Sequence, residues 1–283
     1  MANVVVVFDF DKTIIDCDSD NWVVDHLGGT QLFDELLKTM PWNSAMDRMM
    51  GEFHSQGRTI EEIEESLRRA PLPANTIAAI KSAYSLECEL RIVSDANRFF
   101  INTILEHHKL MSYFSEINTN PGYVDEVGRL RIFPHHDFET SPHGCSLCPP
   151  NMCKVSSFST IIERMQASPL VEGRKRFIYL GDGKGDYCPS LRLNKEDYVM
   201  PRKKYPLWEL IVDNPPEGAL RASIHEWSDA EELEKVLLRL INESVTADRG
   251  NVDNQLVSVD CKFQTTPLSS HEDNLPNPLP VPH

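Results

Sequence analysis

No stretch of this 283-residue chain approaches the roughly 20 consecutive apolar residues that a membrane-crossing helix needs, so an integral membrane protein of that kind is excluded. Positive charge is also scarce. Twenty-eight lysines and arginines stand against 43 acidic residues, the formal net charge is −15, and no basic cluster interrupts the chain. Such a chain repels polyanions, so neither nucleic acid nor an anionic membrane is an expected partner. The first residues, Met1-Ala-Asn-Val-Val-Val-Val-Phe8, have no basic lead and run straight into acidic residues, so no secretory signal is expected. Cysteine is odd in number, seven residues of which Cys17, Cys88, Cys188 and Cys261 are scattered. Reduced thiols in a cytoplasmic setting are therefore expected, and the sequon at Asn242 carries no weight without export. No internal repeat is visible.

What is present is an ordinary globular composition, 41% hydrophobic and 25% charged, with length for one substantial core and a smaller appended module. Val4 to Phe8 is a continuous β-branched run ending in a polar loop, the pattern of a strand buried on both faces. Helical spacing follows from about Asp20 to Leu72, as in Leu32-Phe33-x-x-Leu36-Leu37 and Ile60-x-x-Ile63-x-x-x-Leu67, and Thr59 with Glu62 forms a capping-box pattern. Thr76 to Ala83 reads as a helix, Leu90 to Val93 as a second buried strand, and Phe99 to Leu110 as an amphipathic helix. Residues 117–153 are rich in Pro, Gly, Asn, Cys and His, with a short strand at Leu130 to Phe133, and read as an insert within the core. Helical spacing returns at Ile161, Ile162 and Met165. Phe177 to Leu180 is a third buried strand, Tyr198 to Met200 a short fourth, and Ala230 to Ile241 a closing helix. Past about Val245 the chain turns Pro- and Ser-rich with little periodicity, so 245–283 is expected to be a disordered tail.

Strands alternating with helices, each strand ending in an acidic or hydroxyl residue, indicate an α/β fold whose parallel sheet has a polar carboxyl edge. Three loops meet that edge: Asp9-Phe-Asp11-Lys-Thr13, Ser94-Asp95-Ala96-Asn97 and Gly181-Asp-Gly-Lys-Gly-Asp186. Two aspartates two residues apart can divide nucleophilic and acid/base work. Mg²⁺ prefers hard carboxylate oxygens, which Asp182 and Asp186 offer on a glycine-rich turn. A phosphoryl group also needs a cation and a hydroxyl or backbone donors, because its transfer depends on positioning and electrostatics.

These motifs resemble the haloacid-dehalogenase (HAD) phosphatase superfamily. Asp9, Asp11 and Thr13 match its first motif, Asp-x-Asp-x-Thr, after a hydrophobic strand; Ser94 matches the second; Gly181-Asp182-x-x-x-Asp186 matches the fourth; Lys154 is the candidate for the third. The resemblance implies a Rossmann-like parallel sheet (residues 1–16 and 73–244) with a helical cap (17–72) inserted after the first strand. It implies that Asp9 attacks phosphorus, that Asp11 protonates the leaving group and then activates water, and that Thr13, Ser94 and Lys154 position the phosphoryl group. Asp9, Asp11 (through its backbone carbonyl), Asp182 and Asp186 would hold Mg²⁺.

Closer matches are to the eukaryotic phosphoethanolamine/phosphocholine phosphatase family, above all its plant members. They lie at Phe8-Asp-Phe-Asp-Lys-Thr-Ile-Ile15, Asp18-Ser-Asp-Asn-Trp22, Met40-Pro-Trp-Asn43, Ile92-Val-Ser-Asp-Ala-Asn97, Cys148-Pro-Pro-Asn-Met-Cys-Lys154, Tyr179-Leu-Gly-Asp-Gly183, Gly185-Asp-Tyr-Cys-Pro189 and Val199-Met-Pro-Arg202. This similarity implies hydrolysis of a small phosphorylated metabolite, with phosphocholine or phosphoethanolamine preferred and inorganic pyrophosphate or pyridoxal and thiamine phosphates as alternatives. A phosphotransferase or phosphomutase, and a catalytically silent binding protein, are the readings from other classes. Where the family pattern leads directly from Lys154 into a helix, Val155 to Thr160 reads here as a short insertion that delays it.

Two further groups draw attention. Asp20 and Trp22 follow the nucleophile loop and are candidates to hold an ammonium head group, a carboxylate and an aromatic face being what such a cation favours; capping and core packing are the plain alternative. His143-x-Cys145-x-x-Cys148-x-x-x-x-Cys153 has the spacing of a structural Zn²⁺ site, against an alternative of reduced, packed cysteines.

Overall fold

The structure, a computed structural model, describes residues 3–166, 175–213 and 220–257. It opens with β1 (Val4–Phe8), four helices α1 (Ser19–His26), α2 (Thr30–Leu37), α3 (Trp42–Ser55) and α4 (Ile60–Arg68), then α5 (Ala74–Ser85), β2 (Glu89–Asn97) and α6 (Arg98–His107). After these come β3 (Phe114–Asn120), the hairpin β4 (Gly122–Val124) and β5 (Leu130–Ile132), and α7 (Lys154–Gln166). The remainder is β6 (Arg176–Gly181), α8 (Tyr187–Ser190), β7 (Tyr198–Pro201), α9 (Pro206–Trp208), β8 (Ser223–Ile224) and α10 (Ala230–Val257).

Six strands form one parallel sheet in the order β3-β2-β1-β6-β7-β8. The chain walks outward from β1 through β2 to β3, then returns to β6 on the other side of β1. Strand order therefore reverses between β1 and β6, and a crevice opens there at the carboxyl ends, where ligands of open α/β sheets bind.

The continuous apolar run of β1 follows from burial on both faces. Val4, Val6 and Phe8 join Leu90, Ile92, Ile178, Leu180 and Met200 on the side covered by Ile80 of α5, Ile104 of α6 and Leu237 of α10. Val5 and Val7 face the other way, with Val93, Phe177, Tyr179 and Val199, against Phe158 and Ile161 of α7. Helices thus cover both sides of the sheet, as a parallel sheet requires.

Helices α1 to α4 bury Phe33, Met46, Met49, Phe53, Ile63 and Leu67 among themselves. The capping box is formed at α4: Glu62 N–H donates to Thr59 Oγ1 (3.3 Å), and Thr59 N–H donates to Glu62 Oε2 (2.9 Å). The β4–β5 hairpin straps this helical unit. Asp47 of α3 accepts from Arg129 Nη2 (3.1 Å), Arg131 Nε (2.9 Å) and Ile132 N–H (2.9 Å).

Three sequence expectations are corrected. Residues 117–120 belong to β3, an edge strand of the main sheet, and not to the insert. Val155 to Thr160 does not delay the helix: α7 begins at Lys154 and these residues form its first turns, because Phe158 and Ile161 bury against the sheet. Helix α10 continues to Val257, so the tail boundary at 245 falls inside it; Ser244 lies buried and returns its hydroxyl to Leu240 O (2.7 Å). Residues 258–283 lie outside the described residues. Among those described, no helix is long and apolar enough to cross a membrane.

Candidate active site

The loop after β1 is drawn tight by Phe10, whose carbonyl accepts from the N–H groups of Thr13 (3.3 Å), Ile14 (2.8 Å) and Ile15 (3.2 Å). Lys12 takes a left-handed conformation (φ 54°) to complete the turn. Its carbonyl is held by Arg202 Nη1 (2.7 Å) and its amine faces Asp18 (3.5 Å). Phe10, Ile14 and Ile15 are buried, and Asp9 and Asp11 are left toward the crevice.

Asp9 is 4% exposed and accepts from Phe10 N–H (2.7 Å). Lys154, the first residue of α7 and 2% exposed, sets its Nζ 2.8 Å from Asp9 Oδ1, 2.8 Å from Asp186 Oδ1 and 3.8 Å from Asp95. Burial pushes the lysine toward neutrality, but Asp186 and Asp9 more than offset this and hold its pKa well above the usual value. It is a buried cation whose charged form these two carboxylates favour.

Asp186 has no exposed surface, and both its oxygens are fully engaged. Oδ1 accepts from Lys154 Nζ (2.8 Å) and Tyr179 OH (2.8 Å); Oδ2 accepts from the N–H groups of Asp182 (3.1 Å) and Gly183 (2.9 Å). A carboxylate has about four lone-pair sites, so this one is saturated. Gly181 explains why the turn starts on glycine: a Cβ there would collide with the Asp186 carboxyl group.

Burial, then the nearby charge of Asp186, raises Asp9 well above the ordinary carboxylate range, with Lys154 pulling the other way. Asp182 is pushed up to about 7 by burial and then by Asp186. Asp11 is raised well by burial, then by Asp18 and Asp20. One lysine does not neutralise this many buried carboxylates, and the set fits a divalent cation. Asp9, Asp182 and Asp186 present oxygens within 4.8 Å of one another, and Asp11 Oδ1 and Thr13 Oγ1 are buried without a hydrogen-bond partner. Asp186 is saturated within that group, so the oxygens with capacity left for Mg²⁺ are those of Asp9 and Asp182, with Asp11 beside them, and not Asp186 as its motif position suggests.

The crevice above is a cavity of about 410 Å³. Asp9, Asp11, Lys154 and Asp182 form its floor; Lys12, Asp18, Asp95 and Lys184 its rim; Leu147 and Pro149 one wall. The structure thus brings together Asp9, Asp11, Lys154, Asp182 and Asp186. Ser94 lies fully buried, accepting from Ala96 N–H (3.2 Å), and Thr13 is buried in the nucleophile loop; neither lines the cavity.

Asp20 and Trp22 do not line it either. The Trp22 indole donates to Ser66 O of α4 (2.9 Å) and its ring lies against His26, which ties it into helix packing. Asp20 is buried and accepts from Trp42 Nε1 (2.7 Å), its other oxygen having no partner. His143 is likewise separate from the thiols: its Nε2 sits 2.9 Å from Pro149 O and its Nδ1 accepts from Cys145 N–H (3.0 Å). The fourth residue beside Cys145, Cys148 and Cys153 is Cys188, which sequence spacing left among the scattered thiols. Tyr179 was also missed. A tyrosine inside an apolar strand was the available signal, since a buried hydroxyl must find a partner.

Asp20 yields a stability prediction. Burial, then Asp18, pushes its pKa up to about 7, with the Trp42 hydrogen bond acting the other way. A raised folded-state value means the contribution is fully present below the unfolded pKa near 4 and is lost as pH rises through about 7. Asp20→Asn keeps an acceptor for Trp42 and cannot ionise. Denaturant titrations should show the variant more stable than the parent by a few kcal/mol at pH 8 and nearly equal to it at pH 4. Equal stability at both pH values would show that Asp20 ionises freely.

Residues 4–241 match the family described as Putative Phosphatase. An Arabidopsis thaliana protein named inorganic pyrophosphatase 2 is 58% identical over 263 residues, covering 92% of this chain and 92% of its own. A thiamine phosphate phosphatase-like protein of the same plant is 51% identical over 243 residues, covering 86% of this chain and 97% of its own. Among solved structures, a HAD family hydrolase from Salmonella enterica serovar Typhi superposes with a TM-score of 0.56 at 14% identity, over 83% of this chain and 72% of that one, a likeness of fold alone.

Proposed function

Since the chain belongs to the Putative Phosphatase family and shares the fold of a HAD family hydrolase, we propose that it hydrolyses small phosphorylated substrates, with Asp9 as the nucleophile and Asp11 as the acid and base. The observation that carries this reading is the buried Lys154 ammonium, 2.8 Å from both Asp9 and Asp186 at the floor of the crevice. It holds the Asp9 carboxylate in place and offers positive charge to the phosphoryl oxygens above it.

In the first half-reaction an Asp9 oxygen forms a bond to phosphorus as the bond to the leaving oxygen breaks. Asp11, whose burial and acidic neighbours Asp18 and Asp20 raise its pKa and so favour its protonated form, gives its proton to that oxygen. In the second half-reaction a water oxygen bonds to phosphorus, the Asp9 acyl phosphate bond breaks, and Asp11 takes the proton from the water. A Mg²⁺ ion held by Asp9, Asp182 and the Asp11 backbone carbonyl would supply the charge that brings an anionic phosphoryl group to an anionic nucleophile. Asp186, with all four acceptor positions taken, is assigned the anchoring of Lys154 and the turn from Gly181 to Gly183. Borohydride reduction during turnover should convert Asp9 to homoserine in the mapped peptide. Conversion at another aspartate would move the nucleophile.

Inorganic pyrophosphate is the substrate that this cavity suits best. Lys12 and Lys184 line the cavity together with Lys154 and offer positive charge to a second phosphate, and among the described residues no aromatic ring lines it. The relative named inorganic pyrophosphatase 2 supports the same choice. Phosphoethanolamine or phosphocholine is the second reading, favoured by the rim carboxylates of Asp18 and Asp95. Phosphate release with Mg²⁺ and no added acceptor should give a kcat/KM for pyrophosphate at least about tenfold above those for phosphoethanolamine, phosphocholine, pyridoxal phosphate and thiamine monophosphate. Lys184→Ala should cost pyrophosphate about tenfold, the worth of one charged hydrogen bond, and monoesters much less. A preference for an amino-alcohol ester would move the assignment to the second reading.

A further inference from the structure

We propose that Cys145, Cys148, Cys153 and Cys188 bind one structural Zn²⁺ ion, which clamps the loop leading into Lys154 at the start of α7 to the turn carrying Asp186. The four sulfurs converge within 4.8 Å of one another, although Cys188 lies far along the chain from the other three. Cys145 Sγ and Cys188 Sγ are 3.6 Å apart. Four sulfurs placed about 2.3 Å from a tetrahedral zinc are separated by about 3.8 Å, so the observed spacing is that of a coordination shell. A disulfide would need about 2.05 Å, and all four thiols are free. Chance packing of reduced cysteines gives no reason for four of them to meet at one point.

Two features of the surroundings suit the ion. Cys153 immediately precedes the 13-residue helix α7, whose N-terminal partial charge favours thiolate. His143 has both ring nitrogens engaged elsewhere, so the donor set is four sulfurs, a set that selects Zn²⁺ among non-redox ions.

The position of the cluster gives the ion its purpose. Cys153 adjoins Lys154, and Cys188 lies two residues beyond Asp186, so the clamp brackets the buried ion pair that joins them at 2.8 Å. Leu147 and Pro149, inside the loop that the cluster closes, form the apolar wall of the catalytic cavity. In a segment with so many prolines and so little regular structure, metal binding supplies order that packing does not.

The test is metal analysis of the untagged full chain, purified in reductant and washed with excess Mg²⁺ to clear the carboxylate site. About one zinc per chain is expected. Cys145→Ser and Cys188→Ser should each retain less than a tenth of it, while Asp182→Asn should retain it all. Growth with Co²⁺ gives a readout that needs no variant, in case the serine substitutions prevent folding. Strong sulfur-to-cobalt charge-transfer bands with intense tetrahedral d–d bands are expected. The proposal is overturned by a chain that takes up no zinc on reconstitution, by iron in place of zinc, by weak octahedral cobalt bands, or by zinc that persists in Cys188→Ser and is lost in Asp182→Asn.

Discussion

Asp9→Asn should fold normally and lose turnover by at least about 10⁴-fold, the scale on which removal of a covalent nucleophile acts. The amide is isosteric with the carboxylate. Its oxygen keeps an acceptor for Phe10 N–H and for Lys154, which sit 2.7 and 2.8 Å away in the parent. Lys154 also retains Asp186 as its counter-ion, so no buried cation is orphaned. Metal-free stability should not fall. Asp9 has a raised pKa, so its stabilising contribution is lost as pH rises, and a neutral amide in its place is spared that loss. Phosphate release together with thermal melts in chelator separates the two effects. Hydrolysis within tenfold of the parent would put the nucleophile elsewhere, and a collapsed melt would show Asp9 to be structural.

Much of this site was legible because a parallel sheet sets neighbouring strand tips side by side. Val4 to Phe8, Leu90 to Val93 and Phe177 to Leu180 announce buried strands, and the acidic residues just past the first and third fall into one crevice when β1 and β6 pair. Periodicity marks which face a residue takes but not what stands opposite. Tyr179 therefore read as one more apolar position, although its hydroxyl meets Asp186 in space. For the same reason spacing alone cannot join Cys188 to three cysteines that lie more than 30 residues before it, and it points to His143 instead. Asp20 and Trp22 follow the nucleophile loop closely in sequence, but α1 turns them toward Trp42 and Ser66. Segments with mixed signals were the hardest. β3 is a parallel edge strand whose pattern is broken by Ser115, Asn118 and Asn120, and Asn120 spends its amide on the carbonyl of Ala96 (2.9 Å).

Lys154→Met should be the most destabilising single change in the site, and its cost should depend on pH. The substitution keeps most of the side-chain volume but leaves Asp9 and Asp186, both buried, without the cation that now sits 2.8 Å from each. Breaking a buried ion pair from one side costs roughly 3–5 kcal/mol, because the remaining charge is left unpaired in a poor solvent. Asp9 is already raised by burial and by Asp186, and Lys154 is what opposes that rise, so losing the lysine moves Asp9 higher still. A carboxyl group with a raised folded-state pKa loses its contribution as pH increases through that value. The deficit against the parent should therefore be smaller at pH 5, where Asp9 takes up a proton more readily, than at pH 8. Denaturant titrations in chelator at both values measure it. Adding Asp186→Asn to Lys154→Met should recover part of the loss at pH 8, since one of the two unpaired charges is gone, while kcat stays low by about 10³-fold because the phosphoryl group has lost its buried cation. A deficit that is the same at pH 5 and pH 8, and that the second substitution does not relieve, would mean that Lys154 holds the floor of the crevice by packing and not by charge.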